Sequence, residues 1–99
     1  MTRDFVLTVL RDARSTLRQR YRVESLSVFG SLARGEADEV SDVDVAVRFA
    51  KGAPSTAMRL CGVSGLLSGL LGRDVDVVAL PARNQSLAAS IRKEGVRAF

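Results

Sequence analysis

The sequence predicts an α/β (α+β) fold, a small mixed β-sheet with helices packed on one face. Three observations predict it. Phe5, Val6, Val9, Leu10, Ala13, Leu17 and Tyr21 recur at three- and four-residue spacing with Arg11, Arg14, Arg18 and Arg22 between them, the period of an amphipathic helix over residues 3 to 21. Residues 42 to 49 and 74 to 80 alternate between apolar and other side chains, the period of a strand. Between and after these strands lie stretches of helical length closed by glycine or proline.

Taken in order, the amphipathic helix is followed by Ser25-Leu26-Ser27-Val28-Phe29, a run of strand formers that ends at Gly30 in a tight turn. Residues 31 to 34 fit one helical turn. In the next strand Val43, Val45, Val47 and Phe49 share one face, and Asp42 and Asp44 share the other. Gly52, Pro54 and Ser55 open a helix through Leu71, which Gly72 stops in the left-handed conformation. Gly62, Gly65 and Gly69 weaken its interior. A further strand over residues 74 to 80 ends at Pro81, and a last helix covers residues 84 to 94. The sheet face away from the helices then carries the acids.

A chain of 99 residues with 46% hydrophobic and 26% charged residues has enough apolar material for one core, so residues 1–99 are expected to form a single domain. No apolar run approaches the roughly 20 residues of a membrane span, and the amino terminus lacks the pattern of a signal peptide, so the expected location is cytoplasmic. Cys61, the single cysteine, reads as a packing residue of the long helix. The absence of histidine excludes imidazole-based triads and His-ligated zinc. Thirteen arginines against two lysines and a net charge of +4 suit a phosphate-bearing ligand or an acidic partner, and equally a solvated surface.

Chemistry is therefore left to carboxylates, hydroxyls and backbone amides. Asp42 and Asp44, two apart on a strand, present neighbouring carboxylates of the kind that hold magnesium together with substrate phosphates. Two such ions can stabilise the attacking and leaving oxygens of an in-line displacement. Asp74 or Asp76 can supply a third acid. Asp76 is preferred because it sits between Val75 and Val77, where an ionised carboxylate needs compensation. Gly30 allows close backbone approach and the Ser31 hydroxyl can bond a phosphate oxygen. Arg34 offers positive charge nearby or a salt bridge to Glu36 or Asp38, and Ser41 is placed to bond the backbone at the strand start. Alone, a Gly-Ser turn or an Asp-x-Asp strand is ordinary. Their combination, with ten residues between them and an acid-bearing strand after, is not.

The stretch Gly30-Ser31-Leu32-Ala33-Arg34-Gly35-Glu36-Ala37 through Ser41-Asp42-Val43-Asp44 resembles the polymerase-beta-like nucleotidyltransferase superfamily, in its minimal nucleotidyltransferase (MNT) branch. The resemblance implies that Gly30 and Ser31 bind nucleotide phosphates, that Asp42 and Asp44 bind magnesium, and that Asp76 is the third acid. Leu87, Ile91, Glu94, Gly95 and Phe99 look like the closing helix of small MNT proteins. Larger relatives append a helical domain that helps hold the acceptor, and this sequence ends without one. Small MNT proteins include antitoxins of HEPN-domain toxins, so the resemblance implies an Mg2+-dependent enzyme that transfers AMP from ATP to a hydroxyl, a tyrosine by family habit, of a HEPN-type toxin. A catalytically silent antitoxin that neutralises by binding is the alternative. A small basic nucleic-acid-binding protein ranks below both, since the chain has five aromatic residues and no recognised binding motif.

Overall fold

The computed structural model describes residues 2–36 and 41–99. Two helices open the chain, α1 (Arg3–Asp12) and α2 (Arg14–Tyr21), where the sequence predicts one. The break falls at Ala13, whose ψ of 0° departs from helical geometry while its N–H still reaches the Val9 and Leu10 carbonyls. One apolar stripe runs through both: Val6, Leu10, Ala13 and Leu17 are buried, with Leu7 added and Phe5 left outside.

Strand β1 (Val23–Phe29) runs into the single turn α3 (Gly30–Ala33), followed by β2 (Val43–Phe49), α4 (Ala57–Leu71), β3 (Val75–Ala79), α5 (Gln85–Glu94) and β4 (Val96–Arg97). The sheet order is β3-β2-β1-β4. β1 pairs antiparallel with β2 and β4, and β2 pairs parallel with β3, so the sheet is mixed as expected. Side-chain caps set the helix starts: Thr2 for α1, Thr56 for α4 and Asn84 for α5. Gly72, at φ 68°, ends α4 in the left-handed conformation.

The principal core lies between one sheet face, with Leu26, Val28, Val43, Val45, Val47 and Val75, and the helices α1, α2 and α4. A smaller cluster of the opposite strand parity joins Phe29, Ala46 and Val78 to Leu87 and Ile91 of α5. The second face is thus divided. α5 covers part of it, and the acids stand toward the N-terminal ends of β2 and β3. The tail also differs from expectation. Gly95 and Phe99 lie beyond α5, and Val96–Arg97 form an edge strand whose partner is β1, a non-local pairing with no local pattern. Cys61 is exposed, not packed. α4 is apolar on both faces, so periodicity cannot tell which of its residues point inward. No helix among the described residues is long and apolar enough to cross a membrane.

The α4 glycines separate by environment. A Cβ on Gly62 would run into the Tyr21 ring, whereas at Gly65 and Gly69 no described residue lies within 4 Å of that position. Gly65→Ala and Gly69→Ala are expected to stabilise the fold by about 1 kcal/mol each through helix propensity. Gly62→Ala is expected to destabilise it by about 1 kcal/mol, the overpacking exceeding the propensity gain. Denaturant unfolding of the three variants checks the order, and a gain at Gly62 would contradict the close packing of α2 on α4.

Candidate active site

Strand register builds the site. In the β2–β3 ladder Asp44 is the partner of Asp76, and in the β1–β2 ladder Asp44 is the partner of Phe29, the residue before Gly30. Neighbouring strands are about 4.8 Å apart, so Asp44 stands between Asp76 on one side and the β1–α3 turn on the other. Asp42 immediately precedes β2 and is exposed. Asp74 is also exposed and lies before β3, its carbonyl accepting from the Val43 N–H at 3.0 Å. Asp76 is exposed as well, although it lies within β3 between Val75 and Val77, so burial does not separate the two candidate third acids; Asp76 is the one paired with Asp44.

Gly30 has φ 74°, a conformation that costs side-chain-bearing residues energy. A Cβ there would also collide with Oδ2 of Asp44. The turn therefore presses its backbone against the carboxylate, a contact only glycine permits. Ser31 is half-buried in the same turn, and its carbonyl accepts from the Glu36 N–H at 2.8 Å. Arg3 of α1 donates to the Ala33 carbonyl at 3.0 Å and holds the turn from outside.

Burial and neighbouring charge act together on Asp44. Its pKa is raised above the ordinary aspartate value, first by partial burial, then by the negative charges of Asp76 and Asp42; Arg34 acts in the opposite direction. Arg34 itself is held by two carboxylates, Glu36 and Glu94, each at 2.9 Å. Of the alternatives open for Arg34, the bridge to Glu36 is present. Asp38 and Ala37 lie outside the described residues. Glu94 was not legible as a partner of Arg34, because it lies sixty residues away on α5 and no local spacing connects them. The Ser41 carbonyl accepts from Arg73 at 3.0 Å, which ties the segment entering β2 to the one entering β3.

A family model described as Polymerase beta, Nucleotidyltransferase matches residues 12–99. The chain belongs to the polymerase beta nucleotidyltransferase family. Among relatives of this nucleotidyltransferase is the protein adenylyltransferase MntA of Thermococcus cleftensis, 34% identical over 97% of this chain and 95% of that one. A solved structure assigned as a minimal nucleotidyltransferase is also 34% identical, covering 97% of this chain and 95% of its own, with a TM-score of 0.76. A HEPN toxin–MNT antitoxin complex from Shewanella oneidensis, with the toxin tri-AMPylated, matches 98% of this chain and 68% of the other, at 21% identity and a TM-score of 0.63. That last likeness shows the fold alone. The resemblance to the MNT branch is borne out by the first two.

A divalent cation is implied by the family, and the donor set fits one. All three candidate ligands are carboxylates, the oxygen donors magnesium prefers, and the pKa of Asp44, raised first by partial burial and then by Asp76 and Asp42, marks an ionised form that a cation would stabilise. Among the described residues, no group of three or more acids is close enough together to hold a metal ion.

Proposed function

We propose that this nucleotidyltransferase transfers AMP from ATP to a hydroxyl on a partner protein, a HEPN-type toxin with tyrosine as acceptor, and so acts as an antitoxin in the cytoplasm. In this reading all 99 residues form one catalytic domain. The observation that carries it is the register of Asp44 with Asp76, beside a Gly30 turn seated on the Asp44 carboxylate. The name of the Thermococcus relative and the modified toxin of the Shewanella complex support the choice of adenylyl group and partner.

Asp42, Asp44 and Asp76 would hold magnesium, which supplies charge neutralisation for the triphosphate. Gly30 lets the turn sit against the Asp44 carboxylate, so that its backbone and the acid meet the same phosphate, and the Ser31 hydroxyl donates to a phosphate oxygen. Arg34 adds positive charge at the mouth while Glu36 and Glu94 fix its direction, and Ser41 steadies the entry to β2. The acceptor oxygen forms a bond to the α-phosphorus as the bond to the pyrophosphate oxygen breaks. Asp76 is placed to orient the hydroxyl or take its proton.

The test is incubation with magnesium and α-labelled ATP, with and without the product of any adjacent HEPN-like gene. Label is expected on the partner, and is expected to vanish in folded Asp42→Ala and Asp44→Ala variants. Toxin neutralisation that survives both substitutions, with no label transferred, would establish the silent antitoxin instead.

A further inference from the structure

β3 is an outer strand of the sheet. Its main-chain groups alternate between β2 and the free edge. The Asp74 carbonyl accepts from Val43, and the Leu80 N–H donates to the Val47 carbonyl at 2.8 Å. The same parity directs Asp76 and Val78 toward β2 and turns Val75, Val77 and Ala79 outward. At Val75 the chain closes its own edge: the N–H donates to Ser68 Oγ at 3.2 Å, and Ser64 Oγ donates to the carbonyl at 2.7 Å. Among the described residues no such cover is drawn over Val77 and Ala79. Past them the edge opens into a cleft of about 330 Å3 between the starts of α4 and α5, lined by Leu60, Ala79, Leu80, Arg83 and Leu87 among others.

Open edges are normally blunted by charge, proline or a covering element, because unpaired main-chain groups recruit other strands. Here the blunting stops one residue before Asp76, and the open stretch runs beside that carboxylate. We propose that the outer edge of β3 receives the acceptor as an extended polypeptide segment, hydrogen-bonded to Val77 and Ala79, with its hydroxyl residue opposite Asp76. Strand addition of this kind gives affinity through the main chain and selectivity through alternate side chains. A residue directly opposite Asp76 has its Cβ about 5 Å away and projects onto the acid face. The residue two positions along falls opposite Val78 and toward Leu80 and Leu87 of the cleft, so it is apolar. The preferred acceptor is therefore a tail or loop carrying a hydroxyl residue with an apolar residue two positions away, not a hydroxyl on a helix.

This inference rests on the adenylyltransferase reading above and is tested separately from it. The probe is a nine-residue peptide with one central tyrosine, valine two residues to either side, and glycine or glutamate elsewhere, incubated with magnesium and α-labelled ATP. A series of single backbone N-methylations is expected to lower labelling roughly tenfold at alternate positions and leave the intervening ones unchanged, since one neutral hydrogen bond and a steric block fall on every second amide. Ala79→Pro, which removes an outward N–H, is expected to raise KM for the peptide by about tenfold while ATP binding, kcat and Tm are kept. A flat methylation series, an unchanged KM, or a wild type that binds ATP and labels no such peptide overturns the docking mode. If Ala79→Pro does not fold, the methylation series decides alone. A wild type that fails to bind ATP removes the adenylyltransferase reading itself, and this inference with it.

Discussion

Asp44→Asn is expected to lower nucleotidyl transfer by roughly 10²–10³-fold while making the metal-free protein more stable at neutral pH. The two effects share a cause. Asp44 is partly buried beside Asp76 and Asp42, so its ionised form is disfavoured in the fold and its pKa is raised. Between the unfolded value, about 3.9, and the raised native one, the folded state binds a proton that the unfolded state has lost. Stability from this group is therefore complete below the unfolded value and is lost as pH rises through the native one. Asparagine keeps the shape and cannot ionise, so the variant escapes that loss. In chelator, the difference in Tm between variant and wild type should grow as pH is raised through this window and then level off. Magnesium should raise the Tm of the wild type and leave the variant nearly unmoved. A variant-minus-wild-type Tm difference that is the same at acid and neutral pH would mean that Asp44 is not under the strain its surroundings imply.

The same residue shows how far the sequence could be read. Alternation alone put Val43, Val45 and Val47 inward and Asp44 outward, since side-chain direction in a strand depends on nothing beyond the neighbours. Choosing Asp76 over Asp74 rested on burial between Val75 and Val77, which the exposed Asp76 does not have; the ladder sets Asp76 opposite Asp44, but both acids share one strand phase, so period alone could not separate them. The pressure of Gly30 on Asp44 was not legible: a glycine after a strand announces a turn, not what the turn rests against. Glu94 on Arg34, β4 on β1 and the exposure of Cys61 were equally hidden. The first two are long-range pairings, and the third belongs to a helix apolar on both sides. The elements were readable from local period, and contacts between elements only where period fixes them.

Gly30→Ala is the second substitution with a large expected effect, and Gly35→Ala is its control. Both glycines have φ 74°, so alanine at either is expected to cost about 1–2 kcal/mol of stability through the left-handed conformation alone. They differ in what the new methyl meets. At Gly35 nothing among the described residues lies within 4 Å, whereas at Gly30 the methyl takes the place of Asp44 Oδ2. The carboxylate must then rotate away or the turn must lift off β2, and either movement separates the acid from the phosphate-binding backbone. A displacement of about 1 Å at a reacting centre is worth on the order of 10²-fold in rate. Transfer is thus expected to fall about 10²-fold in Gly30→Ala, whose Tm lies at or below that of the control, and to stay within about twofold of wild type in Gly35→Ala. Equal losses of activity in the two variants would mean that backbone strain, and not the seat of the turn on Asp44, governs the site.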